Sequence, residues 1–238
     1  MLKIGQRQRV NTSKDAKSEI INIQIAFFGL LALLLAFNFT LASNRFEMRK
    51  QIMMEQSNAI ETSYLRINLL PPSEQLPLQN AYRVYVNDML EFFQREHTIT
   101  KLKYIDLQIR QIQDQIWSLA MAAIAKNQQP IYSALYIISL NNVFDEYNSF
   151  ITSTFNHVPD ASVYLLFIVS LFTMGLIGYS NGLDNKPNKI TMILCSIVIA
   201  LVITIILDLD RPFRGLIQMS DKNYIDLQQT MNAVEKTQ

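Results

Sequence analysis

Three stretches of this chain carry no charged residue: Ile20 to Asn44, Ala161 to Leu183 and Ile190 to Leu207. A helix crossing the hydrocarbon layer needs roughly 20 apolar residues at about 1.5 Å each. The first two stretches meet that length. The third is slightly short, and Asp208 at its end suits the headgroup level. Backbone N–H and C=O groups in lipid must be paired within the protein, so the pattern predicts three transmembrane helices. A core helix of a soluble protein rarely stays apolar on every face for so long. Lys3, Arg7, Arg9, Lys14 and Lys17 ahead of the first stretch, with Ala42-Ser43-Asn44 after it, imitate a secretory signal. The apolar run is too long for one and two further spans follow, so it reads as a retained anchor.

Residues 45–160 contain no glycine and repeat hydrophobic positions at helical spacing. The clearest run is Ile105, Ile109, Ile112, Ile116, Leu119 and Ala123, a bundle or coiled-coil seam. Asp106, Gln108, Arg110, Gln111, Asp114 and Gln115 lie between those positions and suit a solvated face. Trp117 and the alanines at 120, 122, 123 and 125 predict close packing near the helix end. Upstream, Arg45 to Asn68 reads as one helix, stopped at Leu69-Leu70-Pro71-Pro72 because paired prolines cannot continue it. Ser73 is the expected N-cap of the next helix, unless Pro77 delays its start. That helix turns Ala81, Tyr82, Tyr85, Met89, Phe92 and Phe93 inward and ends near His97. A fourth helix starts at Pro130, carries Leu135, Ile138, Val143, Phe144, Tyr147, Ile151 and Phe155, and runs toward Pro159.

The second and third spans form a hairpin turned at Gly182 to Lys189, with Gly175 and Gly178 expected to admit close approach between them. Leu216 to Val234 is a weakly amphipathic tail that suits packing on the bundle. The fold class is therefore all-α, an integral membrane protein with about three transmembrane helices and an extramembrane helical bundle. The divisions are a polar N-terminal tail (1–19), the first transmembrane helix (20–44), a four-helix bundle (45–160), a transmembrane hairpin (161–207), and a charged motif with an amphipathic tail (208–238).

Composition agrees with the membrane reading. Half of the 238 residues are hydrophobic and 17% are charged, against about a quarter in soluble domains. A net charge of +1 offers nucleic acid no electrostatic footing. Cys195 is the only cysteine, so no internal disulfide exists and cysteine usage does not report the compartment. No Gly-rich phosphate loop occurs, and His97 and His157 stand apart from any metal-ligand spacing or nucleophile. No cofactor, no metal and no enzymatic constellation of nucleophile, base and orienting group is read from the chain.

One dense cluster stands out where the third span ends: Asp208, Asp210, Arg211, Pro212, Arg214 and Gly215. Asp210 and Arg214 are four apart and Asp208 and Arg211 three apart, the spacing of ion pairs on a continuing helix. Pro212 disfavours helix at Arg211, and Gly215 suits a turn. Two readings stand side by side: an interfacial stop signal, and a structural or pore-mouth knot in which Asp210 pairs with Arg211 or Arg214.

These residues carry a resemblance. Arg45-Phe46-Glu47 and Arg49, then Glu55, Asn58-Ala59-Ile60, Thr62, Tyr64-Leu65-Arg66 and Leu69-Leu70-Pro71 are similar to the bacterial bestrophin-like membrane family, a domain of unknown function. So are Trp117, Ala120, Leu140-Asn141 and His157-Val158-Pro159, and above all Asp208-Leu209-Asp210-Arg211-Pro212 with Gly215-Leu216-Ile217. The resemblance spans about Leu30 to Met231. Family members often carry a further span near the N-terminus, where this chain has its polar tail. The name implies kinship with bestrophins, pentameric anion channels, although no bestrophin motif is matched residue by residue. It therefore implies a homo-oligomer in a lipid bilayer, multi-pass in the cell membrane, the bacterial inner membrane by family, acting as an ion channel. The alternative is a non-channel interaction or sensor protein that uses the bundle. Basic residues in the tail and at Lys186 and Lys189 weigh for that side as cytoplasmic. Kinship with bestrophins implies the reverse, so sidedness stays open.

Overall fold

A computed structural model describes residues 1–10, 12–94, 99–184, 187–211 and 216–235. Among them there are helices and turns and no strand. The helices are α1 (Leu2–Gln8), α2 (Lys14–Arg66), α3 (Pro72–Gln94), α4 (Ile99–Lys126), α5 (Pro130–Phe155), α6 (Asp160–Gly182), α7 (Lys189–Leu209) and α8 (Lys222–Glu235). They fall into two compact units. Unit 1 comprises Met1–Phe46 and His157–Arg211, and unit 2 comprises Glu47–Asn156 and Pro212–Gln238. The helix α2 contributes to both, because no glycine or proline interrupts it between Leu30 and Leu70.

In unit 1, the apolar parts of α2, α6 and α7 are long enough to cross a membrane. Large apolar side chains such as Leu33, Leu171, Phe172 and Val198 are exposed, as lipid-facing surfaces are. The polar tail contains α1, a two-turn helix packed against α6. This changes the role expected for glycine in the hairpin. The neighbours of Gly175 are side-chain atoms of Met1, and Gly178 meets Met1 and Leu2 as well as Met192 of α7. The face expected to seat α7 mainly seats α1.

In unit 2, the predicted α4 seam is buried at Ile105, Ile109, Ile112, Ile116 and Ala123 but only half-buried at Leu119, while Leu102 and Ala120 are buried beside it. Trp117 is partly exposed and lies against Phe144, ring centroids 6.4 Å apart. The helix α3 starts at Pro72, one residue before the expected cap, since proline loses nothing at a first helical position where the N–H has no partner. Ser73 lies inside the first turn and donates to the Glu74 carboxylate at 3.0 Å. The helix then runs through Pro77. On α5 the buried residues are Ser133, Tyr136, Ser139, Leu140, Val143, Tyr147, Phe150 and Thr154, while Leu135, Ile138 and Phe155 are exposed. The tail helix α8 packs on α3. His97, the expected end of the α3 segment, lies outside the described residues.

Several buried polar atoms are paired inside this unit. Tyr224 OH donates to Gln56 Oε1 at 2.6 Å, and Gln113 Nε2 donates to Tyr85 OH at 3.2 Å. Ser63 Oγ and Tyr82 OH are 2.6 Å apart. Burial raises the phenol pKa values of Tyr82, Tyr85 and Tyr224, so these groups remain neutral.

Candidate functional site

The described part of the charged cluster belongs to unit 1. Asp208 sits in the last turn of α7, and its carbonyl accepts the Arg211 N–H at 3.0 Å. Asp210 caps the helix. Its carboxylate accepts the Val158 N–H at 2.9 Å and stands 3.3 Å from His157 Nδ1. That nitrogen is also 3.2 Å from the Asp210 carbonyl oxygen. The sequence spacing pointed Asp210 toward neighbouring arginines; among the described residues it also engages the His157-Val158 segment ahead of α6. An acceptor with two oxygens suits this position, because Pro159 follows and the Val158 amide precedes the first turn of α6. Arg211 is described and exposed. Pro212, Arg214 and Gly215 lie outside the described residues.

Unit 2 holds a second site that sequence reasoning did not assemble. Two buried or half-buried arginines stitch α2 to α5. Arg49 donates through Nε to Ser153 O at 3.0 Å and through Nη2 to Asn156 O at 2.8 Å. It thus caps the last carbonyls of α5, where a cation is favoured by the helix dipole. Arg66 donates through Nη1 to Leu135 O at 2.9 Å. Since residue numbers rise along α2 while those of the partners fall along α5, the two segments are antiparallel. Between the two stitches lies a cavity of about 660 Å³. Its walls are Glu55, Asn58, Ala59, Thr62 and Arg66 from α2, and Ile138, Ser139, Asn141, Asn142, Asp145 and Glu146 from α5. Steps of three and four put each set on one helix face.

Charge in the cavity is lopsided. Arg66 is the cation at one end, while Glu55, Asp145 and Glu146 gather toward the other. Gln51 donates to Glu55 at 2.8 Å, but no described cation pairs with these three carboxylates. Burial, followed by the negative charges of Glu55 and Asp145, pushes the Glu146 carboxyl above its usual range. Among the described residues no group of three His, Cys, Asp or Glu is arranged to hold a metal ion. The cavity offers amides, hydroxyls and unbalanced negative charge.

Six of its lining residues, Glu55, Asn58, Ala59, Thr62, Arg66 and Asn141, belong to the segments that carry the sequence resemblance. The bestrophin-like domain model matches residues 3–224. The chain belongs to the bestrophin-like family. The fold of this bestrophin-like chain is similar to the crystal structure of a bacterial bestrophin homolog from Klebsiella pneumoniae. That match has a TM-score of 0.73 at 11% identity and covers 98% of this chain and 96% of the other. A leucine-to-threonine variant of that homolog matches with a TM-score of 0.73 at 11% identity, covering 98% and 97% of the two chains. A tyrosine-to-alanine variant gives 0.72 at 11% identity, covering 98% and 96%. No curated protein sequence matches this chain.

Proposed function

We propose that this bestrophin-like protein is a homo-oligomeric ion channel, multi-pass in the cell membrane, the inner membrane of a bacterium. In this reading residues 20–44, 161–183 and 190–207 cross the bilayer, and residues 45–160 stand outside it. The observation that carries the reading is the fold shared over nearly the whole chain with a bacterial bestrophin homolog. Bestrophins, in the resemblance drawn from the sequence, are pentameric anion channels. Exposed apolar side chains on α6 and α7 provide surface for lipid and for neighbouring copies. In a symmetric assembly the segment Asp208 to Gly215 forms a ring of charge where the third span ends. Asp208, Asp210, Arg211, Pro212, Arg214 and Gly215 then serve as a clasp and a pore mouth.

One observation favours a second reading, a membrane-anchored interaction or sensor protein: the polar cavity between α2 and α5. Ion flux separates the two. Purified protein in liposomes under a salt gradient is expected to conduct, and Arg211→Gln to shift the reversal potential. Sealed liposomes with correctly inserted, silent protein would overturn the channel and leave the second reading.

A further inference from the structure

Where α6 gives way to α7, unit 1 displays positive charge that conduction does not require. The helix α1 lies along the last turns of α6, backbone against backbone. A Cβ on Gly5 would overlap the Tyr179 carbonyl oxygen and stand 3.1 Å from Gly182 Cα. A Cβ on Gly182 would overlap the Leu2 carbonyl oxygen. Tyr179 OH donates to Gln8 Oε1 at 2.7 Å, fixing the other end of α1. The contacts run from Met1 at Gly175 and Gly178 to Gly5 at Gly182, so α1 follows α6 outward to the end of the uncharged run 161–183.

Because glycine supplies the contact, the long side chains of α1 are left for other partners. Lys3, Arg7 and Arg9 are exposed, as is Lys14 where α2 begins. No described carboxylate pairs with any of the four, although Asp15 and Glu19 lie on the same stretch. Lys17 is already engaged, by Asp184 after α6. That pair ties the start of α2 to the same end of the unit. Ile4 and Val10, large and apolar, are exposed among the cations. Positive side chains level with the end of a membrane span, interleaved with exposed apolar ones, match a bilayer surface in both charge and polarity.

We propose that this face binds the headgroups of anionic phospholipids, with Lys3, Arg7, Arg9 and Lys14 as contacts and Ile4 and Val10 entering the acyl boundary. The proposal rests on the membrane reading of α2, α6 and α7 and not on conduction, so a silent channel leaves it standing.

The test uses the full chain in bilayers of mixed phosphatidylglycerol and phosphatidylcholine. Lipid carried by the released protein is measured by native mass spectrometry. Wild type is expected to retain phosphatidylglycerol preferentially. The triple variant Lys3→Gln, Arg7→Gln, Arg9→Gln is expected to lose that preference by at least about tenfold, since each basic contact is worth several-fold. Lys101→Gln with Lys103→Gln, in α4, is expected to leave it intact. If the triple variant has lost thermal stability, Arg9→Gln alone decides, because it lies beyond α1; an undiminished preference then overturns the proposal. Equal retention of the two lipids by wild type, or an unchanged preference in a stable triple variant, overturns it too. So does equal competition by inorganic phosphate, which marks a general anion site.

Discussion

The two units solve the same problem with opposite residues. Unit 1 keeps glycine at the places where helices meet, at Gly5 and Gly182, and leaves large apolar side chains exposed on α2, α6 and α7. Residues 47–156 of unit 2 contain no glycine and bury aromatic side chains instead: Tyr82, Tyr85, Tyr136 and Tyr147 are all fully buried. The difference follows from the solvent. Lipid is as apolar as leucine, so burying leucine inside unit 1 gains little, and close backbone approach is what helps helices associate. Water rewards the removal of apolar area, and a tyrosine removes a large area while its hydroxyl finds a partner. Unit 2 takes that route, with Gln56 and Gln113 as partners in its interior.

The comparison breaks hardest if Tyr85 is truncated. Tyr85→Ala leaves a cavity and removes the partner of two buried amides. The expected loss is about 3–5 kcal/mol, read as a large fall in the thermal midpoint of the purified protein. Tyr85→Phe should cost roughly 1–2 kcal/mol, because only the hydroxyl is lost. Equal losses for both would mean that area burial does not dominate in unit 2.

In unit 1 the sensitive substitutions add atoms. Gly5→Leu and Gly182→Leu meet backbone, which cannot rotate away, and each should cost about 1–3 kcal/mol. Release of α1 is the specific readout, measured as faster labelling of a cysteine placed at Gln8. Gly175→Leu should cost less than about 1 kcal/mol, since its nearest neighbours are flexible Met1 atoms at 3.6 Å and 4.0 Å. A larger loss at Gly175 than at Gly182 would reverse the assignment of the crossing point.

A smaller effect is expected at the end of α7. Asp210→Asn keeps an acceptor for Val158 but removes the charge beside His157. The coupling between Asp210→Asn and His157→Gln in a double-mutant cycle should be about 0.5–1 kcal/mol, because the histidine is half exposed. Strict additivity would show that the 3.3 Å approach carries no energy.

These cases also show what the sequence made legible. The α4 seam was readable because Asp106, Gln111, Asp114 and Gln115 fill the opposite face and leave one choice. On α5 apolar residues occur on several sides, so the pattern alone does not separate Leu135, Ile138 and Phe155, which are exposed, from Tyr136 and Phe150, which are buried. Gly175 and Gly178 announced a close approach but not by which helix. The contact of Asp210 with His157 could not be read from spacing, because His157 stands 53 positions earlier in the chain. The cavity draws its two walls from distant helices. Its polar stripes at Glu55, Asn58, Thr62 and at Asn141, Asp145 look, on either helix alone, like ordinary solvated faces.

The smallest effect tests whether one of those stripes is more than a solvated face. Glu146 is partly buried beside Glu55 and Asp145, and its carboxyl is pushed upward. An acid whose folded pKa is raised binds its proton more tightly in the folded state. Its contribution to stability is therefore fully present below the ordinary carboxyl range, and it is lost as pH rises through the raised value. Removing the charge should recover that loss. Glu146→Gln is expected to stabilise unit 2 at neutral pH by a few tenths of a kcal/mol, roughly 1 °C in the thermal midpoint, after allowing for solvent screening. The gain should shrink toward zero as pH falls below the ordinary carboxyl range, where wild type holds the proton itself. Glu61→Gln, on α2 but away from the cavity walls, supplies the control for removal of a carboxylate elsewhere on the same helix. A gain of equal size at acidic and neutral pH would mean that packing around residue 146, and not the crowding of three carboxylates, sets its cost. Glu146 would then be an ordinary surface residue, and the unbalanced charge of the cavity would have no measurable consequence for the fold.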